Sequence, residues 1–213
     1  MSKDLIIVGA GGFGREASQL VEDINAAEQA ERWNLLGFID DDKTKWGQNL
    51  RGYIVLGGLD FLQQVDREVL VIAVIGDPVA KKRIIERIKR HSLNFATLIH
   101  PDLAVTKEIK VGQGTLINKG CLLTVNIEIG DHVSINPGCC IGHDAVIGDY
   151  TTLMWRVNLS GNTKIGNGCS LGTGSTVLQG LKVEDGTTIG AGSVVTTDLP
   201  GNCTVVGVPA RIV

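Results

Sequence analysis

The chain has 213 residues, of which 43% are hydrophobic and 20% are charged. This balance is typical of a folded protein with one or two domains, and it excludes an intrinsically disordered chain. A net charge of -3 and an aromatic content of 4% also exclude the basic, aromatic-rich surfaces that bind nucleic acid.

The sequence predicts a cytoplasmic protein without metal ions or disulfides. The opening stretch MSKDLIIVGAGG has an apolar run that ends in glycines, unlike a signal peptide. No apolar stretch reaches the roughly 18 residues that would indicate a membrane span. The 5 cysteines contain no C-x-x-C pair, which argues against a zinc site.

The first half of the chain alternates strand and helix patterns. DLIIVGAGGFGREASQLVEDI predicts a strand, a glycine turn and a helix, and NLLGFIDDD predicts a second strand that ends in acids. EVLVIAVIGD predicts a third strand, and PVAKKRIIERIKRH a second helix with proline near its start. We therefore expect a Rossmann-like domain over residues 1–96, with a parallel sheet of three or four strands.

The glycine turn has the spacing of a nucleotide-binding motif. Gly9, Gly11 and Gly14 match G-x-G-x-x-G, and the motif lies between a strand and a helix. Glycine lets the backbone approach a phosphate, and the helix N-terminus offers N–H groups to it. Asp40 and Asp41 follow the second strand, where a carboxylate could accept hydrogen bonds from a ribose. A tight turn followed by solvated acids is the alternative interpretation.

The second half repeats every six residues. From residue 99 onward, every sixth residue is aliphatic, and glycine often follows it. The aliphatic positions are Ile99, Val105, Val111, Ile117, Leu123, Ile129, Ile135, Ile141, Ile147, Leu153, Leu159, Ile165, Leu171, Val177, Val183, Ile189 and Val195. This period fits a parallel β-helix in which each hexad is one short strand plus a turn, and three hexads close a triangular coil. We expect this fold over residues 97–213, with residues 18 apart stacked at about 4.8 Å.

His143 takes the third position of its hexad, which belongs to a corner of the coil, and Asp144 follows it. One coil later stands Gly161, which has no side chain to crowd the imidazole. An acyl thioester could lie beside His143 with its carbonyl oxygen near the Gly161 N–H, the geometry that acyl transfer requires. A corner histidine beside an acid is also compatible with an ordinary polar surface.

The hexapeptide pattern, together with the glycine turn, resembles the sialic acid O-acetyltransferase and bacillosamine N-acetyltransferase group of sugar acyltransferases. The resemblance covers the whole chain and implies that the β-helix is left-handed. It implies an enzyme that moves an acetyl group from acetyl-CoA to an amino or hydroxyl group of a nucleotide-linked sugar, in bacterial surface polysaccharide or glycan biosynthesis. It further implies a homotrimer with active sites between neighbouring chains.

The resemblance also assigns roles to residues of this chain. His143 would be the general base, Asp144 would orient it, and Gly161 would supply the oxyanion contact. The nucleotide would contact residues at the ends of the first three strands, namely Gly11, Gly12, Phe13, Gly14, Asp40, Asp41, Ile75 and Gly76. Relatives have histidine where this chain has Phe13. Coenzyme A would lie along the closing segment, at Gly207, Pro209, Ala210 and Arg211.

Further positions complete the predicted site. We expect Thr173, Ala191 and Gly192 to continue the column from Gly161 and to line the pantetheine channel. Relatives often carry a sugar-contacting histidine at the position of Thr152. Trp155 and Arg156 follow closely, either shaping an acceptor pocket, with Arg156 favouring an anionic substrate, or forming a subunit contact.

Three rival functions remain at this stage. A γ-class carbonic anhydrase would need several converging zinc histidines, and no two histidines here lie one coil apart. A serine or small-sugar O-acetyltransferase would differ only in its acceptor. A non-catalytic nucleotide-binding scaffold would use the first domain alone and would not depend on His143.

Overall fold

The computed structural model describes residues 2–27 and 33–213, which form a Rossmann-like domain followed by a parallel β-helix. The first domain has one sheet in the order β3-β4-β2-β1-β5-β6. Its strands are β1 (Lys3–Val8), β2 (Trp33–Ile39), β3 (Asn49–Leu50), β4 (Tyr53–Gly57), β5 (Leu70–Ala73) and β6 (Asn94–Phe95). Helices α1 (Gly12–Ala26) and α2 (Pro78–Lys89) cover it, and 3-10 helices span Lys43–Lys45 and Leu59–Gln64.

The predicted strand-turn-helix order of this domain is confirmed, and the sheet is larger than expected. Ala17, Leu20, Val21 and Ile24 form the buried face of α1, as their spacing indicates. The expected three or four strands are in fact six, because β3, β4 and β6 are too short or too interrupted to show a clear period in the sequence.

The β-helix has three faces, which we call A, B and C in the order in which the chain visits them. Face A contains β7 (Leu98–Ile99), β9 (Leu116–Ile117), β12 (Ser134–Ile135), β15 (Thr152–Leu153), β18 (Ser170–Leu171), β21 (Thr188–Ile189), β23 (Thr204–Val206) and β24 (Arg211–Ile212). Face B contains β10 (Leu122–Leu123), β13 (Cys140–Ile141), β16 (Asn158–Leu159), β19 (Thr176–Val177) and β22 (Val194–Val195). Face C contains β8 (Lys110–Val111), β11 (Glu128–Ile129), β14 (Val146–Ile147), β17 (Lys164–Ile165) and β20 (Lys182–Val183).

The predicted stacking of residues 18 apart is confirmed in the strand register. Ile135 pairs with Ile117 on one side and with Leu153 on the other, and all three side chains are fully buried in the shaft. The first coil departs from the pattern, since no strand forms at Val105, which is 38% exposed. Face B therefore begins one coil later, at β10.

The two domains meet on face A. β6 is the last strand of the first sheet, and β7 already pairs with β9 of the β-helix. Helix α2 packs against face A through Lys81, whose amine reaches Ser134 and Thr152. In the described ranges neither helix has the length and apolar character needed to cross a bilayer.

Candidate active site

His143 lies in the turn that joins β13 to β14, at the corner between faces B and C (corner BC). The flanking Ile141 and Ile147 point into the shaft and are buried. The side chain of His143 is 49% exposed, so it points outward from the corner. The imidazole is therefore accessible while its backbone is fixed by the coil.

A hydrogen bond between His143 and Asp144 defines the tautomer of the imidazole. Nδ1 of His143 lies 2.7 Å from Oδ2 of Asp144, and Asn126 donates to the other carboxylate oxygen at 3.2 Å. The hydrogen bond from His143, followed by that from Asn126, lowers the pKa of Asp144 below its usual value. Because an ionised carboxylate only accepts, Nδ1 of neutral His143 carries the proton and Nε2 is left as the basic nitrogen.

Gly161 lies directly against the imidazole of His143. A Cβ atom at position 161 would overlap Nε2 and would lie 2.5 Å from Cε1. Gly142 packs against the backbone of Gly161, since a Cβ there would lie 2.5 Å from the Gly161 nitrogen. The expected juxtaposition of residues 143 and 161 is thus present, and it depends on the absence of a side chain at Gly142 and Gly161.

Corner BC differs from corner CA in how its backbone N–H groups are paired. At corner CA, the N–H groups of Asp131 and Asp149 donate to the side chains one coil later, which are Asp149 and Asn167, both at 2.8 Å. At His143 the residue one coil later is Gly161, which has no side chain that could accept this hydrogen bond. Within the described ranges, the N–H groups of His143 and Gly161 have no hydrogen-bond partner. They are donors that an oxygen of a ligand could use.

The prediction that Thr173, Ala191 and Gly192 continue the column from Gly161 is wrong. The N–H of Gly192 donates to the carbonyl of Thr173, one coil earlier, and Thr173 itself stacks on Trp155 at corner AB. An offset of twelve residues between Gly161 and Thr173 moves the chain to another corner, since only multiples of eighteen stay on one. The residue that does continue the column is Gln179, which counting by eighteen would have identified.

The closing segment packs at corner AB, where Thr173 and Ala191 also lie. The N–H of Gly207 donates to Ser193 Oγ at 3.0 Å, and the N–H of Ala210 donates to the Val194 carbonyl at 2.8 Å. Ala210 is buried there, whereas Gly207, Pro209 and Arg211 are exposed. The residues predicted to hold coenzyme A are therefore grouped on one edge of the β-helix, away from His143 of the same chain.

The glycine turn divides into packed and open positions. A Cβ at Gly14 would overlap the carbonyl oxygen of Gly9, and one at Gly9 would lie 2.6 Å from the Val74 oxygen. Gly9 also has φ +112, a conformation that side chains rarely adopt. Gly11 and Gly12 face open space at the start of α1. Gly14, which was predicted to contact the nucleotide, holds the turn together, and Gly11 and Gly12 leave room for a ligand.

Asp40 and Asp41 lie beside the glycine turn, and their carboxylates already have partners in the protein. Asp40 accepts from the N–H of Ala10 at 2.9 Å and from Lys45 Nζ at 2.9 Å. Although burial raises it, hydrogen bonds from the backbone and Lys45 lower the pKa of Asp40. Asp41 accepts from the N–H of Leu59 at 2.9 Å and from Arg87 at 2.6 Å. These acids therefore shape the loops around the turn.

The carboxyl edge of the first sheet faces corner AB. Gly9, Asp40, Asp41 and Ile75 line a cavity of about 200 Å³ at this edge. A Cβ at the neighbouring Gly76 would lie 3.9 Å from the Met154 methyl group, at the start of corner AB. Phe13 is half-buried against the core of the first domain. The predicted nucleotide and coenzyme residues of one chain thus lie on the same side of the molecule.

Thr152 does not line this site, contrary to its predicted contact with the substrate. Its side chain is fully buried between the domains, and its Oγ1 accepts a hydrogen bond from Lys81 Nζ at 2.9 Å. Trp155 is 46% exposed and Arg156 is exposed beside it, as an acceptor pocket and a subunit contact would both require. Lys81 was missed from the sequence, because a lysine on an amphipathic helix usually indicates a solvated face.

Comparisons with known proteins agree with this architecture. A family model described as the PglD N-terminal domain matches residues 4–88, and one described as bacterial transferase hexapeptide (six repeats) matches residues 162–197. UDP-N-acetylbacillosamine N-acetyltransferase of Bacillus subtilis is 32% identical over 114 residues, which are 53% of this chain and 50% of that protein. This match therefore spans about half the length of the curated relative.

Solved structures match along almost the entire chain. The acetyltransferase domain of PglB from Neisseria gonorrhoeae has a TM-score of 0.88 at 26% identity, and WeeI from Acinetobacter baumannii has 0.81 at 29%, each covering 100% of both chains. A mutant of perosamine N-acetyltransferase from Caulobacter crescentus has 0.84 at 27% identity, covering 98% of this chain and 96% of that one. The chain thus combines a PglD-type N-terminal domain with a left-handed β-helix of hexapeptide repeats, and it is similar along almost its whole length to sugar acetyltransferases with this fold.

Proposed function

We propose that the protein transfers the acetyl group of acetyl-CoA to the amino group of a nucleotide-linked sugar. The observation that carries this proposal is the pairing of His143 with Asp144 above the unpaired N–H of Gly161. The relatives add support. The PglB domain was solved with acetyl coenzyme A, and perosamine N-acetyltransferase was solved with CoA and GDP-perosamine.

In this mechanism His143 acts as the general base. The neutral amine of the sugar attacks the thioester carbonyl, and Nε2 of His143 takes the proton that the nitrogen loses. The Gly161 N–H donates to the oxyanion of the tetrahedral intermediate, and Asp144 stabilises the imidazolium through Nδ1. When the intermediate collapses, the C–S bond breaks and the thiolate of CoA takes a proton from His143, which restores the base.

The proposed site lies between two chains of a trimer. The first domain covers face A, and in a triangular prism face A lies opposite corner BC, which carries His143. The nucleotide edge and the predicted coenzyme residues of one chain therefore need His143 from a neighbour. Head-to-tail contacts of this kind form a ring when the rotation between neighbours closes, and three chains are the number that the family resemblance implies.

We further infer that the reaction occurs in the cytoplasm, where acyl-CoA thioesters are available, as a step in bacterial glycan biosynthesis. The test is to incubate the protein with acetyl-CoA and a panel of UDP-, GDP-, dTDP- and CMP-linked amino sugars, and to follow thiol release. Turnover with one amino sugar supports the proposal. Turnover with a hydroxyl acceptor alone would change it to an O-acetyltransferase, and nucleotide-sugar binding without turnover would favour a non-catalytic scaffold.

A further inference from the structure

Lys81 connects the two domains through a fully buried amine. It lies on α2 of the first domain, and its side chain has no exposed surface. Its Nζ donates to Ser134 Oγ at 3.0 Å and to Thr152 Oγ1 at 2.9 Å, and it lies 3.4 Å from the Thr151 carbonyl oxygen. All three acceptors belong to face A or to the residue before it, so the amine links the domains directly.

This amine is buried without an acidic partner. In the described part of the chain, no carboxylate accepts a hydrogen bond from Lys81. Asp77, one turn earlier on the chain, attracts it only through space, and Asp77 Oδ1 accepts from the N–H of Ala80 at 2.7 Å. A buried amine with neutral acceptors contributes less to stability than an apolar side chain of similar volume would. What its directional hydrogen bonds do provide is one defined arrangement of the two domains.

The surroundings of Lys81 reinforce that arrangement. His132 packs edge-on against Phe95 of the first domain, with ring centroids 4.5 Å apart, and stacks on Tyr150 at 5.4 Å. Burial lowers the pKa of His132 to about 4, so the ring is neutral near pH 7. The exposed Lys82 and Lys89 also contact Tyr150 at the margin of this interface, whereas Lys81 is the fully buried amine, and its hydrogen bonds restrict its direction.

The arrangement that Lys81 fixes includes the proposed site. Thr152, which accepts its hydrogen bond, lies two residues before Met154. Met154 in turn lies near Gly76, at the carboxyl edge of the first sheet, where an added Cβ would come within 3.9 Å of its methyl group. A shift of α2 on face A would move this edge relative to corner AB.

We propose that Lys81 is a positioning residue of acetyl transfer, whose bonds to Ser134 and Thr152 hold the nucleotide-binding edge where the sugar amine reaches the His143 of a neighbouring chain. This inference rests on the proposed function. It assigns a role in acetyl transfer to a residue far from the reacting atoms. It also predicts that loss of Lys81 affects the use of the sugar acceptor and not the use of acetyl-CoA. The predicted coenzyme residues lie on the β-helix itself and do not depend on the docking of the first domain.

The test replaces Lys81 by methionine, which keeps the apolar stem and removes the amine. We expect kcat/KM for the nucleotide sugar to fall about 10- to 100-fold, as expected for a misplaced reactant, while the KM for acetyl-CoA stays within about twofold. Arg83→Met is the matched control, because it removes an exposed cation from the same helix. Equal changes in both constants, or no change in either, would overturn the proposal.

Two additional measurements keep the outcome decisive. Thr152→Val removes one acceptor with little change in shape, and it should show the same selective effect, smaller in size, even if Lys81→Met folds poorly. Hydrogen–deuterium exchange of peptides spanning 130–136 and 150–154 should increase in both variants, whether or not turnover is observed. If the wild-type protein shows no turnover, the proposed function fails while the exchange data still report the docking. Unchanged exchange in a folded Lys81→Met protein would refute the docking role itself.

Discussion

Gly161 lies one coil beyond His143 and in direct contact with its imidazole, so that a single added carbon would overlap Nε2. The basic nitrogen of the ring and an unpaired backbone N–H are thereby brought to one place on corner BC. This relationship distinguishes His143 from the buried His100 and His132, which are 6% and 2% exposed. It also makes the proposed chemistry testable by single substitutions.

Replacing His143 by alanine should lower kcat by about 10²- to 10⁴-fold, the usual contribution of a general base. The side chain is half-exposed and points away from the shaft, so the fold and the oligomeric state should not change. Steady-state kinetics and size-exclusion chromatography check the two expectations. A variant that retains the wild-type rate would remove His143 from the mechanism.

Gly161→Ala should inactivate the protein without unfolding it. The added Cβ would displace the imidazole, and Gly161 is not among the residues with positive φ, so its backbone can accept alanine. We expect a fall in kcat comparable to that of His143→Ala, together with a melting temperature close to that of the wild type. A normal rate in this variant would contradict the close contact between the two residues.

The two kinds of glycine in the first turn should respond differently to alanine. Gly14→Ala should cost about 1–3 kcal/mol of stability, because the Cβ would overlap the Gly9 carbonyl. Gly12→Ala should leave stability unchanged, since it faces open space, and should weaken the binding of the nucleotide sugar. Denaturant unfolding and calorimetric titration measure the two effects. A destabilised Gly12→Ala protein with normal ligand affinity would reverse the assignment.

Lys81 should make stability depend on pH. Burial lowers its pKa to about 7 from its ordinary value of 10.5, which the unfolded chain regains. Between these two pH values the unfolded chain binds a proton that the folded chain does not, so stability increases as the pH rises, by at most about 1.4 kcal/mol per pH unit. Below about pH 7 Lys81 is protonated in both the folded and the unfolded chain. The loss of stability caused by its burial is then at its largest and no longer changes with pH.

Urea unfolding of the wild type and of Lys81→Met at pH 7, 8 and 9 checks this sign. The difference between the two proteins isolates Lys81 from other titrating groups, including Asp77, which attracts it, and His132, which remains neutral over this range. As the pH rises, the free energy of unfolding of the wild type should increase relative to that of the variant. If the free energies of unfolding of the two proteins change with pH in parallel, folding does not lower the pKa of the Lys81 amine.

The hexad period made most of the β-helix predictable, because every aliphatic position from Ile117 onward points into the same shaft. His143, Asp144 and Gly161 could be grouped for the same reason, since stacking in this fold is a matter of counting. The prediction for Thr173 was wrong because residues twelve apart lie on different corners of the β-helix, and only residues eighteen apart stack. By contrast, no local pattern indicates which face of the β-helix the first domain covers. The burial of Lys81 and Thr152 results from that docking and could not be read from either segment alone.

The three corners of the β-helix are not chemically equivalent. At corner CA the side chains of Asp149, Asn167 and Asp185 accept hydrogen bonds from backbone N–H groups one coil earlier. These N–H groups are therefore not available to a ligand. Under the proposed function, corner BC carries the catalytic base and corner AB carries the surfaces that bind the nucleotide sugar and coenzyme A. In the proposed ring of identical chains, each molecule would supply its base to one neighbour and receive a base from the other, so a subunit that dissociates would lose both contacts at once.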